Sequence, residues 1–214
     1  MPVITQISAQ RRRENRRNIY LDGAFAFGLN LNVIAKFYLR EGQNLTPEQV
    51  LEIEQGDVRQ ECMDRALGCL SRRLHSRAEL ARKLTRHEYG GAVIDGVLGE
   101  LERLGYIDDA RFAKTKAASA AQRKHHGRRR AMAELLRAGV PTSAASQAVR
   151  EVYESNDNVG VARALALKQA ARLRKLDPLV ARRRLVGMLQ RRGFDYEEIK
   201  PVVDEVLGET HSRD

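Results

Sequence analysis

The chain has 214 residues, enough for one or two domains with their own cores or for an extended array. Charged residues make up 31% and aromatics only 5%, yet Leu, Val, Ile and Ala recur at helical spacing, which excludes disorder, and no apolar run approaches the ~20 residues of a membrane span. The net charge of +10 lies in the second half: residues 110–156 hold 10 Lys/Arg against 3 Asp/Glu and residues 157–214 hold 12 against 9, whereas residues 1–57 (7 against 7) and 58–109 (9 against 9) are neutral. Such asymmetry points to a polyanionic partner or an acidic protein surface.

Residues 1–28 read as strands. ITQIS alternates, and in NIYLDGAFAF the pair Asp22-Gly23 stands between two apolar runs, a strong hairpin signal, so a three-stranded meander is expected. The opening MPVITQISAQRRR lacks the basic-then-apolar layout of a secretory leader, and a cytoplasmic, cofactor-free protein is expected. Two short helices follow, at about 30–38 and 46–55; TPEQ supplies a capping Thr46, Pro47 at the first helical position and Gln49 to complete a capping box.

From Val58 onward the pattern is helical and repeats. Aligning Ser76, Gly127 and Ala181 superimposes Leu80, Ala131 and Leu185, then Leu84, Leu135 and Leu189. One helix further on, Ile94, Leu98 and Leu101 match Ala145, Val149 and Val152, and again Ile199, Val203 and Val206, a single inward stripe. Gly139 and Gly193 end the second and third copies as C-terminal glycines, where the first has Glu88. A further helix precedes each copy, at about 58–73, 110–122 and 158–174. The expected fold is mainly α: three tandem three-helix repeats in an elongated curved array, at 58–109, 110–156 and 157–214, behind an N-terminal segment 1–57 of β-meander and short helices.

The arginines divide by position. Arg86, Arg137 and Arg191 share one repeat position near a helix C-terminus, where a cation complements the dipole. Arg77, Arg128 and Arg182 sit in the first turn, where the dipole disfavours them, and a structural role is expected, by packing of their stems or by bridging units. Arg130 and Arg137 lie two turns apart opposite the apolar stripe, as do Arg184 and Arg191. RKHHGRRR concentrates Arg123, Lys124, Arg129 and Arg130 at a helix junction in a segment with few acids. Planar guanidinium forks suit phosphate or carboxylate equally. Arg123, Lys124, Arg129, Arg130, Arg137, Arg184 and Arg191 are therefore the candidate partner- or DNA-binding residues.

Chemistry for catalysis does not assemble. There is no phosphate-binding loop with its lysine; Asp108-Asp109 before ARFAK suits helix capping. His125-His126 and the pair Cys62 and Cys69 lack metal-ligand company, and the two cysteines, seven apart on a helix, read as small core residues rather than a disulfide. No catalytic residue, metal or cofactor is expected, and the chain is not expected to be an enzyme.

SRRLHSRAELARKL, ELERLGYIDDARFA, HGRRRAMAELLRAGV and RRGFDYEEI, in that order over about residues 60–208, resemble the RecX regulators of the RecA recombinase. The start, ITQISAQ to NIYLDGAFAFGL, is similar to the N-terminal extension of longer members. Gly105–Ala113, G-Y-I-D-D-x-R-F-A, is the most specific piece; KTKAASAAQRK departs from the family in being Ala-rich. The resemblance implies a three-helix repeat protein that binds RecA, lies along the groove of its DNA filament, and restrains recombinase, ATPase and co-protease activity in DNA repair, homologous recombination and the SOS response. It implies no cofactor and no catalytic residues. A monomer in the cytoplasm is expected, with single- or double-stranded DNA as a direct additional partner and no membrane. The alternative is a general nucleic-acid-binding helical-repeat protein without RecA specificity, tracking phosphates with a steep salt dependence.

Overall fold

The computed structural model describes residues 1–11 and 13–211. The chain forms two compact units: Met1–Leu74 with Leu80–Tyr106, and His75–Glu79 with Ile107–Asp214.

In the first unit β1 (Ile4–Gln10), β2 (Arg13–Leu21) and β3 (Ala24–Asn30) form an antiparallel sheet in the order β1-β2-β3. The β2-β3 turn has positive φ at both Asp22 (49°) and Gly23 (84°), as a two-residue turn matched to strand twist requires. Ile4, Ile19 and Leu29 from the sheet join Val33, Leu39, Leu45 and Ile53 in a core. α1 (Leu31–Lys36) is capped by Asn30.

The helices expected at 46–55 and 58–73 are one: α2 runs from Pro47 to Leu70, with the Thr46/Gln49 capping box formed at its start. Gly56-Asp57 looks like a break in the sequence but is a contact point instead. A Cβ on Gly56 would stand 3.0 Å from the Phe37 ring, so glycine admits that ring against the helix. Asp57 is buried, accepts the Asn30 N–H at 2.7 Å and pairs with Arg16 at 2.7 Å. Arg16 also donates to Glu61 (2.6 Å) and to the Gly28 carbonyl (2.5 Å), tying sheet to helix. α3 (Arg77–Thr85) belongs to this unit from Leu80 onward, and α4 (Gly91–Arg103) packs on α2, with Arg59 of α2 pairing with Glu100 of α4 at 2.5 Å.

The second unit contains α5 (Asp109–Gln122), α6 (Arg128–Ala138), α7 (Thr142–Glu154), α8 (Asn158–Leu173), α9 (Pro178–Arg192) and α10 (Tyr196–His211). Every apolar residue aligned across the repeats is buried, from Leu80, Ala131 and Leu185 to Leu101, Val152 and Val206. The Ala-rich departure packs well: Ala117, Ala120 and Ala121 are buried in α5, which packs against α7, and α8 repeats the device with Ala162, Ala166 and Ala170. Small side chains let these helices approach closely, and Phe112 of α5 and Tyr153 of α7 are buried beside them. Asp108 caps α5 through the Arg111 N–H, and Asp109 accepts the Arg77 N–H at 2.8 Å, so both carboxylates serve helix starts. Cys62 and Cys69 are free thiols, the first buried, and burial pushes the Cys62 thiol up. Among the described residues no helix is long and apolar enough to cross a membrane, and no three potential metal-ligating side chains come together.

Candidate polyanion interface

Within the second unit the repeats meet helix end to helix end. The start of α6 abuts the end of α9: the Gly127 N–H donates to the Arg192 carbonyl at 2.8 Å and the Arg129 N–H to the Gly193 carbonyl at 3.0 Å. A Cβ on Gly127 would collide with the Gly193 carbonyl, and one on Gly193 with the Arg130 backbone. Gly193 also holds φ = 89° as the C-cap of α9. The start of α3 repeats the arrangement against α6, with the buried Ser76 hydroxyl donating to the Ala138 carbonyl at 2.6 Å and accepting the Glu79 N–H at 3.1 Å. Orphan donors of one helix thus meet orphan acceptors of the next, and the two dipoles run head to tail. That polarity makes first-turn arginines tolerable. Arg182 nonetheless turns to an ion pair with Asp204 of α10 (2.5 Å), within its own repeat, while Arg128 is exposed rather than turned to the apolar side.

This junction brings four candidate residues together. Arg129, Arg130, Arg137 and Arg191 line a recess of about 400 Å³, with Gln190 and Gly193. Arg130 donates from Nη1 to the Arg191 carbonyl at 3.0 Å, so its guanidinium is aimed by the end of α9. Lys124 and Arg137 line an adjacent recess of about 260 Å³ with Lys116, Glu79 and Glu134. Arg123 and Arg184 stand outside both: Arg123 donates to Ser119 Oγ at 2.7 Å, and Arg184 is exposed on α9.

The cluster is better compensated than its local sequence suggests. Glu134 accepts from Lys124 at 3.0 Å and lies 3.6 Å from Arg130. Burial alone would raise the Glu134 carboxyl, but the Lys124 hydrogen bond and the charges of Lys124, His126 and Arg130 hold it below the usual range. Asp195, from the next repeat, pairs with Arg129 at 2.5 Å. His126 Nδ1 is buried 3.0 Å from Glu134 Oε1 but out of line for a hydrogen bond; desolvation first, then the Arg130 charge, hold the imidazole below 6.5. Arg192, which sequence reasoning passed over, spans the junction to the Lys124 carbonyl at 3.2 Å. What remains is an arginine-lined surface recess suited to phosphate or carboxylate oxygens. No described group near it combines a nucleophile with a base.

A small β-meander followed by repeated three-helix units, joined by helix ends and carrying an arginine recess, defines a helical-repeat protein with a basic surface site. Comparison with known proteins makes the class specific. Residues 2–46 match the RecX regulatory protein N-terminal domain, and residues 62–101, 108–149 and 157–203 match the first, second and third three-helix domains of RecX. The regulatory protein RecX of Leuconostoc mesenteroides is 30% identical over 98% of this chain and 78% of its own length, and that of Bacillus subtilis 29% identical over 96% and 78%. A crystal structure of regulatory protein RecX superimposes with a TM-score of 0.76 at 25% identity, covering 95% of this chain and all of the other. A crystal structure of RecX from Lactobacillus salivarius, 22% identical, shares the fold with a TM-score of 0.63 over 71% of this chain and 97% of its own. The chain belongs to the RecX family of regulatory proteins.

Proposed function

We propose that the chain regulates the RecA recombinase in the cytoplasm, chiefly as an inhibitor, binding RecA and the groove of the RecA–DNA filament as a monomer without a cofactor. It acts by occupying a surface and not by chemistry on a substrate. The family supports the regulatory role, and one observation carries the filament: Arg129, Arg130, Arg137 and Arg191, from two repeats, converge on one recess. A nucleoprotein filament offers such a recess both DNA phosphates and protein carboxylates, which the guanidinium fork binds bidentately. Titrating the chain against RecA's single-stranded-DNA-dependent ATP hydrolysis, at a salt concentration that suppresses its own DNA binding, tests this. Inhibition below one copy per RecA, weakened at least tenfold in the double variant Arg130→Glu, Arg137→Glu, is the expected result. No effect at any ratio, with ordinary low-salt DNA binding, would leave a general nucleic-acid-binding repeat protein.

A further inference from the structure

The first unit carries a second basic cleft, which the balanced charge of residues 1–109 conceals. About 660 Å³ in volume, it opens between β2, α2, α3 and the turn after α3. Six cations line it against two carboxylates: Arg13, Arg16, Arg65, Arg72, Lys83 and Arg86 against Glu61 and Asp64. The carboxylates are already engaged on the sheet side. Glu61 accepts from Arg16 at 2.6 Å, and Asp64 accepts the side-chain amides of Asn30 (2.8 Å) and Gln60 (2.7 Å). Two side chains hold Arg65, neither of them a carboxylate: Nε donates to the Tyr89 hydroxyl at 3.3 Å, and Nη1 faces His87 Nε2 at 3.2 Å. Arg65 is therefore oriented by a phenol and an imidazole on the cleft wall. Arg72 and Arg86 are exposed at the rim, and Arg86 holds the repeat position that Arg137 and Arg191 hold in the second unit's recess.

We propose that this cleft binds a segment of single-stranded nucleic acid, its phosphodiesters on Arg65, Arg72 and Arg86 and a base against Tyr89. The net positive lining selects a polyanion. The volume lies in the range of about 300–1,000 Å³ that suits small-molecule-sized groups, so a few nucleotides enter whereas a rigid duplex does not. Cations beside an aromatic side chain, here Tyr89, form the pattern by which strands are held without sequence readout. An acidic protein segment would satisfy the arginines but make no use of the ring. The site is independent of the arginine recess of the second unit, and it stands or falls apart from the filament proposal.

The test is fluorescence anisotropy of labelled oligothymidylate with the full-length chain over a salt series, in the native background and in Arg130→Glu, Arg137→Glu. In both backgrounds Arg72→Glu, Arg86→Glu should weaken binding at least tenfold and flatten the slope of log affinity against log salt by about 1.4, two phosphates at ~0.7 each. Arg72→Lys, Arg86→Lys should keep the slope. Tyr89→Leu should weaken binding about tenfold at an unchanged slope, with thermal melts confirming that the variants fold. Unchanged affinity and slope in the charge-reversed variant would overturn the proposal. So would polyglutamate competing as well as the oligonucleotide with no dependence on Tyr89, which would make the cleft a seat for acidic protein.

Discussion

Glu88 stands at the repeat position that Gly139 and Gly193 hold in the other copies, and it shares their left-handed backbone: φ is 63°, against 81° and 89°. A side chain there costs ~1–2 kcal/mol that glycine avoids, less the ~0.5–1 kcal/mol of extra freedom glycine has in the unfolded chain. Glu88 is exposed, so Glu88→Gly should stabilise the protein by about 0.5–1 kcal/mol, and Glu88→Val should destabilise it; urea unfolding of the two variants reads the difference. His126 gives the complementary case, a side chain whose environment sets its chemistry. Burial and the neighbouring Arg130 place its folded value below the ordinary 6.5. Above that value the ring is neutral folded or unfolded, and stability does not depend on it. Below it the unfolded chain takes up the proton first, so stability falls with pH until the folded value is also passed. Denaturant melts from pH 7.5 downward should show this loss, and His126→Gln should flatten it.

At the scale of elements, two contacts join what the chain separates. The first is the Arg16–Asp57 pair, its side chains only 12% and 11% exposed, which locks the sheet to α2. Asp57→Ala would leave Arg16 with Glu61 as its one close carboxylate and the Asn30 N–H without its acceptor. Breaking a buried pair in this way costs about 3 kcal/mol, and a calorimetric melt should show it, with Asp57→Asn milder because an acceptor for Asn30 remains. The second contact is the glycine junction of α6 and α9. Gly193→Ala meets both a left-handed backbone and the Arg130 backbone, and Gly127→Ala meets only the collision, so Gly193→Ala should be the more damaging, by more than 2 kcal/mol in urea unfolding. These same elements show what could be seen beforehand. The inward leucines and valines announced each helix of the repeats because their period is that of a helix and their burial follows from it. The meander was equally plain in Asp22-Gly23. The continuity of α2 was not, since Gly56 reads as a break until Phe37 is found packed on it. The end-to-end junctions were invisible too, because close approach of two backbones leaves no trace but glycines that also have commoner uses.

For the molecule as a whole, the excess charge was legible, but its sites were only half so. The repeated arginine positions marked Arg137 and Arg191 for one recess, yet the acids that temper that recess are Glu134, one turn along α6 from Arg130, and Asp195, from the next repeat. Conversely, the balanced charge of residues 1–109 hides a cationic cleft, because its two carboxylates are engaged with Arg16 and with amides while six cations line it. Total charge and local charge should therefore act on different steps of binding. On the proposed function, the general field of a chain at +10 would accelerate encounter with a polyanionic filament, whereas converging guanidiniums would hold the docked state. Lys168 and Lys200 are exposed and line neither recess of the second unit, so Lys168→Glu, Lys200→Glu changes net charge as much as Arg130→Glu, Arg137→Glu does without touching the candidate contacts. Stopped-flow association with RecA filaments should show the lysine pair slowing association a few-fold, an effect that fades with salt, and leaving dissociation unchanged. The arginine pair should slow association similarly and speed dissociation at least tenfold, since lost contacts act on the bound state. Equal dissociation rates for the two variants would mean that the field alone draws the partner and that the recess holds nothing.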